Sequence, residues 1–231
     1  MMRTCTHLKL CTWLAGICLF GILALAPVQV QAQDYGDTIG CAFTPITTFP
    51  YVENFDLGKR GWFSGPMSAT TARCGGIARN IPNTWVLGTP AKNVAGFNTL
   101  NGAHSGDSAW VLGGLSGRYS PNERSFVRSP CFDFNALTNP AISAWVWWET
   151  DYDPTSTPIL YEDGVNLQYS TDDGETWTIL NGQSNNTIFN WYTAPDISTK
   201  PGYLCPPALS IPGWSGRNAG GSGSWVRMQH Q

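Results

Sequence analysis

The sequence predicts an all-β fold, a sandwich or barrel of antiparallel strands, and three observations support this prediction. Beyond the N-terminal segment, no stretch sustains apolar residues at i, i+3, i+4 and i+7, the spacing of an amphipathic helix. Clusters of Gly, Pro, Asn, Asp and Ser recur at short intervals and indicate turns. Between these clusters lie short runs rich in Trp, Val, Ile, Tyr, Phe and Thr, which favour strands.

The first 32 residues have the pattern of a signal peptide. Arg3 and Lys9 precede an almost wholly apolar run at residues 10–27, and Val30-Gln31-Ala32 fits a small-x-small cleavage site. The alternative is an uncleaved membrane anchor, but the run is at the short end of the roughly 17–25 residues that a spanning helix needs. We therefore expect export to the cell surface or the extracellular space. Residues 33–45 would form a tether, and residues 46–231 one domain.

The net charge and the cysteine content limit which binding partners and which cellular compartment are expected. Cleavage after residue 32 removes two basic residues and no acidic one, so the formal net charge falls from −3 to about −5. With no basic run, nucleic acid and anionic membranes are not expected partners. Four cysteines remain, and in an exported chain an even number predicts disulfides, with three connectivities open. These cysteines are Cys41, Cys74, Cys131 and Cys205.

The strands can be predicted from alternating side chains. Residues 141–149 place Ile142, Ala144, Val146 and Trp148 on one face and Ser143, Trp145 and Trp147 on the other. Both faces carry bulk, which predicts a central strand buried on both sides. The remaining predicted strands are residues 84–87, 108–112, 124–128, 165–169, 177–180 and the segment beginning at 224. Residues 193–224 are rich in Pro and Gly and are predicted as a loop.

Residues 170–177 match the pattern S-x-D-x-G-x-T-W, which resembles the Asp-box of sialidases and other β-propellers. Asp172 would accept backbone N–H groups across the turn, Gly174 would adopt positive φ, and Trp177 would pack beneath. A sialidase would repeat the box and add an arginine triad, whereas this chain has one copy. We therefore predict a structural turn formed by Ser170, Asp172, Gly174 and Trp177.

A wider resemblance covers roughly residues 47–231. It depends on the order of five segments, at residues 49–56, 61–62, 85–90, 103–110 and 129–134, followed by the tryptophan-rich strand. This order resembles the MAM family of adhesive domains, in the divergent form of exported Bacteroidetes-type proteins. The resemblance implies a jelly-roll (concanavalin-like) antiparallel β-sandwich. The family's closing strand with an Asp-Asp pair is missing, so we expect a domain truncated at its C-terminus.

The resemblance also implies a structural Ca²⁺ near the first strand. Glu53 and Asp56 match the family's acidic position after the aromatic residue, and Asp107 lies in the segment His104-Ser105-Gly106-Asp107. Carboxylate and carbonyl oxygens are the ligands that Ca²⁺ prefers, and it takes six to eight of them. The alternative is that these are surface and turn acids without a metal.

Two further groups of residues are candidates for binding. Trp145 and Trp147 could form a stacking platform for a sugar ring, although burial of this face is the simpler expectation. Asp151, Asp153, Glu162 and Asp163 form an acidic cluster that could bind a cation or could be a solvated loop.

The sequence contains none of three common enzyme motifs: no His-Glu-x-x-His, no Gly-x-Ser-x-Gly and no phosphate loop. We predict a non-catalytic adhesion or recognition module of a larger protein, binding an extracellular protein or glycan through loops at residues 89–107, 150–164 and 181–224. The alternative is an accessory domain of a secreted peptidase or glycosidase with its catalytic domain elsewhere.

Overall fold

The structure is a computed structural model, and it describes residues 44–67, 82–121, 123–174, 176–182, 187–199 and 210–231. Within these ranges the chain is all-β, and the one helical element is a 3₁₀ turn at Asn218–Gly220. The strands are β1 Phe63–Pro66, β2 Val86–Gly88, β3 Ala91–Lys92, β4 Leu100–Asn101, β5 Ala109–Val111, β6 Ser125–Arg128, β7 Ile142–Val146, β8 Tyr152–Asp153, β9 Leu160–Tyr161, β10 Gln168–Tyr169, β11 Thr178–Ile179 and β12 Val226–His230.

Every strand pair in the described residues is antiparallel, which confirms the predicted fold class. The pairs are small and do not close into one continuous sheet, an arrangement consistent with a β-sandwich. They are β1 with β6, β2 with β5, β3 with β4, β7 with β12, β8 with β9 and β10 with β11.

All seven predicted strands are present, each starting or ending within a few residues of the predicted bounds. The alternation that predicted them arises because one face of each strand meets the interior. Five further strands were not predicted from the sequence: β1 and four strands of only two residues, β3, β4, β8 and β9. Two residues are too few to show a period of two.

The main hydrophobic cluster lies beneath the pair β7–β12. Its buried members are Ile188, Trp191, Trp214 and Met228, and side chains from β7 pack against it. The aromatic rings meet edge to face: Trp191 and Trp214 have ring centroids 5.3 Å apart with planes at 69°. Edge-to-face packing suits the quadrupoles of aromatic rings, so this tryptophan-rich interior stabilises the fold beyond the area it buries.

The predicted loop at residues 193–224 contributes to the core, which the sequence did not indicate. Ile197 is 0% exposed, Ile211 is 1% exposed and Trp214 is 4% exposed. Isolated bridges join Ala194 to Gly213 and Val165 to Trp214. These pairings are single residues separated by prolines, so they leave no alternating pattern.

The leader and most of the tether lie outside the described residues, and their predicted roles stay predictions. In the part of the chain that the structure does describe, no helix is long and apolar enough to span a lipid bilayer.

Candidate functional site

The pair β7–β12 presents two different faces. Met228 lies opposite Ala144 and Val226 lies opposite Val146, and Ala144, Val146 and Met228 pack on the hydrophobic cluster. Because side chains alternate along a strand, the intervening residues face the other way. They form two cross-strand pairs, Arg227 with Trp145 and Gln229 with Ser143. We call this outward side, with His104 above it, the Trp145 face.

Trp145 is exposed, contrary to the expectation that both faces of this strand are buried. Its side chain is 44% exposed, so the prediction of a second buried face is wrong at this residue. Among the described strands, β7 pairs with β12 alone. The His104 ring is stacked on the indole, with centroids 3.5 Å apart and planes at 11°.

Trp147, the other candidate of the predicted platform, lies just beyond the end of β7. It is half-buried, whereas Trp145 is exposed. The structure thus distinguishes the two tryptophans, and Trp145 is the one with more indole surface available to a ligand.

Arg227 is exposed beside Trp145. Its guanidinium lies over the Phe189 ring, 5.5 Å from the ring centroid, and its Nη2 donates a hydrogen bond of 3.1 Å to Oε1 of Gln229. No carboxylate of the described residues forms a salt bridge with it. Sequence analysis did not single out Arg227, because only the pairing of β12 with β7 places it next to Trp145.

The loop that carries His104 is held from two sides. The backbone N–H of Asp107 donates a hydrogen bond of 2.7 Å to Oδ1 of Asp56, and Asn54 donates one of 2.8 Å to Oδ2 of the same carboxylate. On the other side, the indole N–H of Trp225 donates to the Gly102 carbonyl at 3.4 Å. These bonds fix both ends of the segment that places His104 over Trp145.

The predicted calcium residues are only partly brought together. Asp56 meets the Asp107 backbone, whereas the Glu53 side chain is 5% exposed and turned to other partners. Glu53 Oε1 accepts the N–H of Phe55 at 2.8 Å, and Oε2 accepts the hydroxyl of Tyr51 at 3.2 Å and lies 3.8 Å from Nε of Arg60. In the described residues no three His, Cys, Asp or Glu side chains group as metal ligands. Asp56 and Glu53 each bond to other groups of the protein, and calcium binding stays a prediction.

The Asp-box segment forms the turn between β10 and β11. Asp172 accepts the backbone N–H of Thr176 at 2.9 Å and the hydroxyl of Ser170 at 2.7 Å, and Gly174 has φ of +93°. The indole N–H of Trp177 donates to the Gly174 carbonyl at 3.0 Å. Hydrogen bonds from Thr176 and Ser170 lower the pKa of Asp172 to about 2. Both oxygens are engaged within the turn, which suits a structural role.

Two members of the predicted acidic cluster, Asp151 and Asp163, form hydrogen bonds with Tyr119. Tyr119 donates its hydroxyl proton to Asp163 Oδ2 at 2.8 Å, and the Tyr119 oxygen accepts the Asp151 N–H at 3.1 Å. Burial first, and then the bond to Asp163, raises the pKa of Tyr119. A hydrogen bond with Asp151 raises the pKa of Glu162, because the two carboxyl groups share a proton more readily than they both ionise.

Glu149 holds two segments together. Its Oε1 accepts the Asn218 N–H at 2.6 Å and its Oε2 accepts the Asn98 side-chain amide at 2.9 Å. A shallow cavity of about 300 Å³ lies next to it, lined by Tyr152, Pro154, Arg217, Asn218, Ala219 and Gly220. Arg217 in that cavity is 3.5 Å from Oδ1 of Asp151.

Of the four predicted disulfide cysteines, Cys131 is the one within the described residues. Cys41, Cys74 and Cys205 lie outside the described residues. The connectivity therefore stays a prediction.

The motif segments of the MAM-like resemblance contact one another at several places. Asp56 joins the first segment to residues 103–110, and Phe49 packs against Phe132 and Phe134, with ring centroids 6.4 and 5.5 Å apart. Contacts of this kind are compatible with many β-sandwiches, so they do not identify a family. Comparisons of the chain with models of protein families, with curated proteins and with solved structures each found no match, and the MAM-like resemblance stays a prediction.

Proposed function

We propose that this chain is a non-catalytic recognition module that acts outside the cell and binds a glycan through the Trp145 face. The observation that carries the proposal is the exposed indole of Trp145, which the stacked ring of His104 holds from one side. A sugar ring presents C–H groups on its flat faces, and these pack well on an aromatic surface whose orientation is fixed in advance. The extracellular location follows from the signal-peptide pattern of residues 1–32.

The polar neighbours of Trp145 support a sugar in preference to an apolar ligand. Ser143, Arg227 and Gln229 share the outward side of β7–β12 with the indole. Their hydroxyl, guanidinium and amide groups can donate hydrogen bonds to sugar hydroxyls around a stacked ring. An apolar aromatic centre with a few convergent polar groups is the usual composition of a small-ligand site.

The proposal is tested on a glycan array, with binding to extracellular matrix proteins measured in parallel. Trp145→Ala is compared with Tyr169→Ala, a matched control because Tyr169 is 47% exposed on a different strand pair. We expect glycan binding to fall at least tenfold in Trp145→Ala and to stay unchanged in Tyr169→Ala. Glycan binding that survives in Trp145→Ala contradicts the site. An array without signal, beside matrix-protein binding that needs Trp145, would make the ligand a protein.

A further inference from the structure

We infer that the glycan is anionic, with a carboxylate or sulfate group that Arg227 binds while Trp145 stacks on the adjacent sugar ring. This inference rests on the proposed function and names the ligand class of the same site. It depends on three features of Arg227: its position, its lack of an acidic partner and the orientation of its guanidinium.

The first feature is the position of Arg227 on the strand pair. Arg227 lies directly opposite Trp145 across the β7–β12 pair, and Cβ atoms of such cross-strand pairs are about 4.5–5.5 Å apart. Their side chains leave the sheet on the same side. A charged group on a sugar ring stacked against the indole, or on the next ring of the chain, therefore falls within reach of the guanidinium.

Charge is the second feature. The formal net charge of the chain is −3, and two other described arginines have acidic partners: Arg60 lies near Glu53 and Arg217 near Asp151. Arg227 has no carboxylate partner among the described residues, although acids outnumber bases in this protein. An exposed guanidinium without a counter-ion, placed beside an exposed indole, complements an anion on a ligand.

Orientation is the third feature. The guanidinium lies over the Phe189 ring, and one Nη2–H is directed to Oε1 of Gln229. These two contacts hold the plane of the group and leave other N–H donors for a ligand. A guanidinium held in this way binds a carboxylate or a sulfate through two parallel hydrogen bonds.

The test uses matched pairs of probes that differ in charge: polygalacturonate and its methyl ester, sialyllactose and lactose, and dextran sulfate and dextran. Binding to immobilised probes is measured for the unmodified protein and for Arg227→Gln. The control is Arg118→Gln, since Arg118 is also exposed and lies over the Phe97 ring, in a comparable cation–π contact.

We expect at least a tenfold preference for the charged member of one or more pairs. Arg227→Gln should remove that preference, Arg118→Gln should keep it, and added NaCl should weaken it. The inference is overturned if neutral members bind as well as charged ones, or if Arg227→Gln keeps the preference. In those cases Trp145-dependent binding of neutral sugars would leave the proposed function standing. Failure of every probe and of the glycan array would overturn both.

Discussion

The imidazole of His104 lies flat on the indole of Trp145, with ring centroids 3.5 Å apart and planes inclined by 11°. The two residues belong to different parts of the chain, a loop after β4 and the strand β7. A lone tryptophan on a sheet surface can change rotamer, whereas one packed between a ring and the strand is restricted. The stack therefore prepares the indole before a ligand arrives, which lowers the entropic cost of binding.

Replacing His104 tests this role. His104→Ala should raise the dissociation constant for the glycan about two- to tenfold, since aromatic pairs contribute about 0.5–1.5 kcal/mol. His104→Phe should restore most of the affinity, because it keeps a flat ring over Trp145. Binding isotherms and near-ultraviolet circular dichroism of the three proteins provide the measurement. Equal affinities for His104→Ala and the unmodified protein would show that the stack does not prepare the site.

Gly106 tests whether the loop must stay close to Asp56. A Cβ atom added at Gly106 would overlap the Asp56 carboxylate, and Gly106 has φ of +62°. Gly96 is a matched control, with φ of +81° and nothing within 4 Å of an added Cβ. Both alanine variants should lose about 1–2 kcal/mol from backbone strain. Only Gly106→Ala should also displace His104 and weaken glycan binding.

Thermal unfolding and binding assays on both glycine variants separate the two effects. A Gly106→Ala protein with the affinity and stability of Gly96→Ala would contradict the prediction, because it would mean that the bond between Asp56 and the Asp107 backbone does not control the loop.

The turn between β10 and β11 should make stability depend on pH. Hydrogen bonds from Thr176 and Ser170 lower the pKa of Asp172 from 3.8 to about 2 in the folded protein. A group with a depressed pKa stabilises the fold when ionised, so its contribution is complete above about pH 4 and is lost as the pH falls towards 2. Asp172→Asn should remove this part of the pH dependence and lower the melting temperature at pH 7.

Melting curves at several values between pH 2 and pH 7 provide the measurement. Asp173→Asn is the control, since Asp173 is the neighbouring acid of the same turn. Its φ is 58°, a conformation that asparagine tolerates. If Asp172→Asn and the unmodified protein lose stability in parallel between pH 4 and pH 2, other carboxyl groups cause the acid sensitivity.

The sequence alone determined the class of fold, because side-chain alternation in a strand is a local property. The runs around residues 109–111, 125–128 and 142–146 showed period two and became strands, and the Asp-box pattern at 170–177 became a turn between paired strands. Each of these features depends on residues within a few positions of one another.

Which face of a strand stays exposed was decided by the tertiary structure. Trp145 could not be assigned to the interior or the surface from its neighbours in the sequence. Burial was the simpler expectation, whereas in the structure Trp145 is 44% exposed with His104 stacked on it. Arg227 stands next to Trp145 only because β12 pairs with β7 from 82 residues away in the sequence. Ile197 and Ile211 are buried in a segment that pairs through isolated bridges, such as Ala194 with Gly213, and such bridges leave no local pattern. The physical reason is the same throughout: local geometry sets the periodicity, whereas burial and neighbourhood depend on contacts between segments that are distant along the chain.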